Sequence, residues 1–275
     1  MEKMKRIPKK QSNPLMAIKK GKKSAGKTKT KGRTSKKSSA KSGLRAKHLS
    51  VIFLAIFFLL VIFVFVGKKG HKGIDISHHQ GDINWEQVVK EGEVEFAYIK
   101  ATEGTDYRDK KYRSNRNEAR KQGIPVGPYH FFRADKSGQL QFEFFLSVIG
   151  EDFDLIPVLD LEELGGKIKD KDKYRNEVKV FINLFKSHYG FTPLLYGSHS
   201  FMKDFVYPVG EDCDYWLAWY MPLADKIRNK RRFLNSVRPG LHARMWQYSE
   251  KGQIPGIKEN VDLDECWELE DIRVK

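Results

Sequence analysis

Residues 156–163 read IPVLDLEE, a short apolar run that ends among acids. A run of this length between turn signals is strand-like, and in a parallel barrel the C-terminal end of a strand is where catalytic side chains stand. Working outward, strand-like runs recur at 74–77, 96–101 and 125–132 before it, and at 194–197, 215–219, 244–248 and 261–263 after it. Helical patterns separate the early ones, at 85–91, 112–122, 136–149, 171–189 and 200–207. Asn84 with Gln87 predicts a capping box before the first helix, and Gly123 stops the second. Beyond the sixth strand the Pro, Gly and Arg content of residues 222–240 breaks the helical signal. Eight strands alternating with five helices predict an α/β fold with a parallel sheet closed into a distorted (β/α) barrel over residues 73–270.

The chain before the barrel has a different composition. Residues 1–48 hold 18 of the 51 Lys and Arg but a single acid, Glu2, so the net charge of +16 belongs to this segment. The remaining residues carry 33 basic and 34 acidic side chains, which argues against a nucleic-acid-binding domain. The Lys, Ser, Thr, Gly and Ala of residues 19–42 offer nothing apolar to offset the entropy of ordering, so a disordered tail is expected. Residues 49–66, LSVIFLAIFFLLVIFVFV, contain one polar residue, Ser50. As a helix they span about 27 Å, close to the roughly 30 Å hydrocarbon core of a bilayer. No polar face and no small-x-small cleavage site accompany them, which favours an uncleaved membrane anchor. The basic tail then places the N-terminus in the cytoplasm, where contact with anionic lipid headgroups is a further expectation, and residues 67–72 form a linker to an exported domain.

On the barrel, acids and aromatics fall at strand ends: Asp75, Glu103, Asp160, Glu162, Tyr196, Trp219, Trp246, Gln247 and Asp262. Rings that pack on the C–H faces of sugars, beside carboxylates and amides for the hydroxyls, suit a saccharide cleft. Asp160 and Glu162 are two apart, so on a strand both point to one face with origins about 6.6 Å apart. Glycosidases place two carboxyl groups about 5–5.5 Å apart for retention or about 6.5–9.5 Å for inversion, and this spacing of side-chain origins permits carboxylate-pair chemistry without choosing a class. A like-charged neighbour and burial raise the pKa of the member that must stay protonated. Acids at a strand end also cap loops, the bland alternative.

The segments GIDISHHQGDINW (73–85), FAYIKATEG (96–104), GIPVGPYHFF (123–132), LDLEE (159–163), PLLYGS (193–198), YWLAWY (215–220), MWQYS (245–249) and VDLD (261–264) together resemble the family 25 glycoside hydrolases, the muramidases also called Ch-type lysozymes. The resemblance covers residues 73–267 in order. It implies a distorted barrel of eight strands and five helices, and hydrolysis of the β-1,4 bond between N-acetylmuramic acid and N-acetylglucosamine in peptidoglycan. It further implies Glu162 as general acid and Asp160 as the group that helps the substrate's N-acetyl group act as nucleophile. Asp75 and Asp262 would line the cleft, and Tyr129, Tyr196, Trp219, Trp246 and Gln247 would shape the saccharide sites. His79 stands where an aromatic is more frequent, and Asp264 where Asn is common.

Other features carry less. His78, His79 and His130 share the expected rim, but hydrolysis by carboxyl groups needs no metal or cofactor, and none is expected. Cys213 and Cys266 lie in a domain expected outside the cytoplasm, where a disulfide is chemically allowed. The basic cluster at 228–232 reads as a solvated loop. Two other readings stay open: a module that binds peptidoglycan without cleaving it, and a glycosidase for another N-acetylated polysaccharide.

Overall fold

The computed structural model describes residues 70–207, 209, 210, 212–220 and 243–275. The expected tail (1–48), anchor (49–66) and basic loop (228–232) lie outside the described residues, as do residues 67–69 of the expected linker. Among the described residues no helix is long and apolar enough to cross a membrane.

Strands β1 (His71–Ile76), β2 (Phe96–Glu103), β3 (Tyr107–Arg108), β4 (Val126–Phe131), β5 (Val158–Asp160), β6 (Leu194–Ser198), β7 (Tyr215–Ala218), β8 (Ala243–Gly252) and β9 (Val261–Cys266) form one sheet. Its order is β1-β9-β8-β7-β6-β5-β4-β2-β3, and β1 also pairs with β2, so eight strands close a barrel and β3 is a hairpin appended to β2. Apart from the antiparallel β2–β3 hairpin, neighbours from β1 through β8 run parallel. The expectation of an all-parallel barrel fails at β9, which is antiparallel to both β8 and β1. The chain between β8 and β9 is too short for a crossover helix, and a short connection returns the strand in the opposite sense. β1 also starts at His71, inside the expected linker, and Arg273 bridges to Leu155 beyond the expected boundary at 270.

The helices are α1 (Trp85–Lys90), α2 (Tyr112–Lys121), α3 (Gly138–Ile149), α4 (Lys171–Tyr189) and α5 (His199–Phe201), the last continuing into a π turn at Met202–Val206. Asn84 caps α1 by accepting from Gln87 N at 3.2 Å. The capping box is only half formed, because the Gln87 amide turns to Glu91 instead. Asp170 caps α4 by accepting from Asp172 N and Lys173 N.

Strand alternation builds two separate apolar layers. Outward residues such as Ile74, Ile99, Leu159, Leu195 and Leu217 pack beneath the helices with Phe142, Phe145, Phe181 and Phe185. Inward residues Phe96, Tyr98, Val158, Leu194, Trp216, Met245 and Cys266 fill the barrel. Rings crowd this plug, with Tyr98 and Trp216 centroids 5.0 Å apart. Glycine makes the room: a Cβ on Gly73 would lie 2.1 Å from the Phe96 ring, and one on Gly127 would lie 2.2 Å from Tyr98. The plug closes the barrel from below, so polar inward residues one layer up form the floor of an open cleft.

Candidate active site

The upper layer is set by strand parity. On β5, Leu159 and Leu161 go to the helix layer, while Val158 and Asp160 line the interior. Glu162 follows the strand in extended conformation (φ −135°, ψ 160°), which keeps it on the side of Asp160. Asp75 on β1 and Asp262 on β9 are register partners. Asp262 sits near the start of its strand rather than at the end, and the reversed direction of β9 brings it to the same rim as the C-terminal ends of the others.

Asp75, Tyr129, Asp160, Glu162, Tyr196 and Asp262 line one cavity of about 320 Å³, together with His79 and Lys100. A second space of about 610 Å³ shares Glu162 and Tyr196 with the first and continues along Ser198, His199, Trp219, Tyr220 and Glu250. Glu162 and Tyr196 therefore stand at the junction of two lobes. In the second lobe the His199 and Trp219 rings stack at 5.5 Å with 14° between planes.

Hydrogen bonds fix the floor. Gln247, almost fully buried, donates through Nε2 to Asp75 Oδ2 at 2.7 Å. Its Oε1 accepts from the Tyr196 hydroxyl at 2.8 Å and the Tyr220 hydroxyl at 2.5 Å. Trp216 Nε1 donates to Asp264 Oδ1 at 3.1 Å. Lys100 Nζ donates to Glu103 Oε2 at 2.6 Å and lies 4.6 Å from the centre of the Phe131 ring.

These surroundings disfavour charge on every carboxyl group of the floor. Burial is the main cause that holds Asp75 well above the usual carboxylate range, followed by Asp262 and Asp264, with the Gln247 amide opposing. Asp160 is raised by burial and then by Glu162, against the pull of Lys100. Glu162 is raised by burial, with Lys100 and the Tyr196 hydroxyl opposing. Asp262 is pushed up to about 6 by burial and by the charges of Glu250 and Glu162. A carboxyl group that stays protonated near neutrality can act as an acid, and two with divided protonation can serve different steps.

One expected saccharide-site residue, Trp246, and one histidine expected on the rim, His130, lie elsewhere. Trp246 points to the opposite side of β8 from Gln247, into the helix layer, and its N–H reaches the Trp219 carbonyl at 2.9 Å. His130, the outward neighbour of Tyr129, is fully buried between Thr102 and Gln141, and burial lowers it to about 3. His78 Nδ1 is 2.7 Å from Asp109 Oδ2, and no three His, Cys, Asp or Glu among the described residues converge as metal ligands. Cys213 and Cys266 are free thiols in different layers, one beneath the helices and one inside the barrel. Sequence reasoning passed over Tyr220, His199 and Glu250. Tyr220 closes the quoted YWLAWY segment just past β7, and strand parity through Ala218 would have pointed to it.

Residues 74–257 match the model of the glycosyl hydrolases family 25. The chain is 32% identical over 199 residues to the uncharacterized protein YegX of Escherichia coli strain K12, covering 70% of this chain and 68% of that protein. It is 32% identical over 200 residues to the autolytic lysozyme of Clostridium acetobutylicum, covering 72% of this chain and 56% of that enzyme. The crystal structure of the bacterial lysozyme from Streptomyces coelicolor aligns with a TM-score of 0.61 at 30% identity, over 72% of this chain and 92% of the other. A match that begins in β1 and runs past the end of β8, on a barrel of this topology, makes the chain a member of the family 25 glycosyl hydrolases.

Proposed function

We propose that the protein is a membrane-anchored muramidase that hydrolyses the β-1,4 bond between N-acetylmuramic acid and N-acetylglucosamine in peptidoglycan. The observation that carries this reading is the position of Glu162, a carboxyl group raised by burial, where the two lobes of the cleft meet. A glycan laid through both lobes has its scissile bond at this junction. Glu162 gives its proton to the glycosidic oxygen as the C1–O bond breaks. The carbonyl oxygen of the substrate's own N-acetyl group attacks C1 from the opposite face, and Asp160 orients that group and steadies the positive charge it acquires. The ionised Glu162 then takes a proton from water, which attacks C1 and reopens the ring. Two inversions at C1 give net retention. Asp75 and Asp262 bind or position the sugar beside the pair, and Tyr129, Tyr196 and Trp219 shape its path.

The apolar segment 49–66 and the basic segment before it support a single-pass anchor with the N-terminus in the cytoplasm and the barrel periplasmic or extracellular. Such an anchor suits wall remodelling close to the membrane. The test incubates the full-length protein, in detergent, with purified peptidoglycan and analyses the reduced fragments by mass. The expected products carry N-acetylmuramic acid at the new reducing end and are missing with Glu162→Gln. Binding without fragments would replace this reading with that of a binding module.

A further inference from the structure

The two lobes of the cleft have different parts in the proposed reaction. Asp75, Asp160 and Asp262 line the first lobe and not the second, whereas Glu162 and Tyr196 line both. The sugar whose N-acetyl group attacks C1 lies beside Asp160, so it occupies the first lobe, and the sugar that leaves with the Glu162 proton occupies the second. The second lobe is the larger, about 610 Å³ against about 320 Å³, and its wall is fixed before any ligand arrives. The Trp219 N–H donates to the Gln247 carbonyl at 3.1 Å, and the Trp219 carbonyl accepts the Trp246 indole N–H at 2.9 Å. The Trp219 ring stacks on that of His199, with 14° between planes. His199 opens α5, whose start is capped by the Ser198 hydroxyl accepting from Phe201 N at 3.2 Å. Tyr220 keeps an exposed ring while Gln247 holds its hydroxyl. Flat rings that lose little freedom on binding suit the C–H face of a pyranose.

We propose that the second lobe is also an acceptor site: a glycan end bound there in place of the departed sugar takes the muramyl group, so the protein transfers glycan as well as hydrolysing it. The proposal rests on the muramidase reading above. The acceptor is an N-acetylglucosamine residue at a non-reducing end. Its 4-hydroxyl attacks C1 of the cyclised muramyl intermediate from the side the leaving group has vacated. The C1–O4 bond forms as the bond from C1 to the N-acetyl oxygen breaks, and the hydroxyl proton passes to the ionised Glu162. One β-1,4 bond is lost and one is made, with no further reactant. Water and sugar compete for the same face of C1, and a sugar already held on the Trp219 ring has the advantage of proximity. His199 is the positioning residue for that ring.

In the test, the full-length protein in detergent digests purified peptidoglycan in the presence of isotope-labelled N,N′-diacetylchitobiose, and the products are analysed by mass at early times. The expected result is labelled disaccharide extended at its non-reducing end by muramyl fragments, beside the ordinary products of hydrolysis. His199→Ala lowers the ratio of transferred to hydrolysed product by about three- to tenfold, the worth of one ring stack, and His199→Phe restores it. The hydrolysis products in the same sample report that each variant is folded, so a merely structural effect lowers both products and leaves the ratio in place. Hydrolysis without labelled product would overturn the transfer and leave the muramidase reading standing, whereas no fragments of either kind would remove both. An unchanged ratio in H199A, or a fall that H199F does not repair, would overturn the role of His199.

Discussion

Gln247 and Asp75 are joined by a hydrogen bond of 2.7 Å across the β8–β9–β1 wall of the barrel. The same amide accepts two tyrosine hydroxyls, from Tyr196 and Tyr220, so one neutral side chain ties the floor of the cleft to both of its lobes. Replacing it with Leu leaves a buried carboxyl group without its donor and two hydroxyls without their acceptor. Each such loss costs about 1–3 kcal/mol, and partial relaxation makes a total of about 2–4 kcal/mol the expectation for Gln247→Leu in chemical denaturation. Hydrolysis of peptidoglycan falls about tenfold or more in the same variant. Unchanged stability would show that water replaces the amide.

Lys100 governs the upper pH limit of the reaction proposed here. Glu162 must be protonated to act as an acid, so kcat/KM falls as pH rises through its raised pKa. Lys100 pulls that pKa down. Lys100→Met removes the pull, and the alkaline limb of the pH profile moves to higher pH. Glu162→Gln, measured alongside, lowers the rate by about 10²–10⁴-fold. A limb that stays in place, or moves down, in K100M would mean that another group sets it.

How much of the site was legible depends on strand parity. Within MWQYS the sequence marks Trp246 and Gln247 together, yet adjacent strand residues face opposite sides, and Met245 and Gln247 take the interior while Trp246 joins the helix layer. Tyr129 and His130 divide in the same way. Eight strands and five helices could be read because apolar runs and breakers are local signals. The reversal of β9 could not, because its direction depends on which edges the barrel must join. Of the second lobe Glu162, Tyr196 and Trp219 were legible, whereas His199 and Glu250 fall just outside the helical run at 200–207 and the apolar run at 244–248 and meet the others only in space.

His130 makes acid destabilisation a further test. It is buried as a neutral ring, with Nδ1 2.7 Å from the Thr102 hydroxyl and Nε2 3.2 Å from Gln141 Oε1, and its pKa is lowered from 6.5 to about 3. The folded pKa is below the unfolded one, so this contribution to stability is complete above pH 6.5 and is lost as pH falls towards 3. The full effect is about 5 kcal/mol. The floor carboxyl groups, raised by burial, act in the opposite sense over the same range, so the His130 contribution is read as a difference: between pH 7 and 4 the wild type should steadily lose stability relative to His130→Gln, and the His130 ring should not titrate in this range by NMR. A His130 resonance with a midpoint near 6.5 would refute the assignment.

Gly73 separates lack of space from lack of conformational freedom. Its added Cβ would lie 2.1 Å from the Phe96 ring, whereas Gly190, after α4, has open space but a φ of +81°. Gly73→Ala is an overpacking change, expected to cost about 1–3 kcal/mol, and Gly190→Ala costs about 1 kcal/mol through its left-handed backbone. The two differ in how they can be rescued. Phe96→Leu opens a small cavity on its own, but in the G73A background it removes the clash, so the double variant is more stable than the sum of the single losses predicts. No partner substitution rescues G190A. The variants also differ at the active site, because Asp75 follows Gly73 by two residues on the same face of β1. A shift of β1 away from Phe96 moves Asp75 against Gln247, so G73A lowers hydrolysis and F96L restores part of it, while G190A leaves the rate unchanged. Additive losses for Gly73 and Phe96 would show that β1 relaxes around the extra methyl group without displacing the cleft floor.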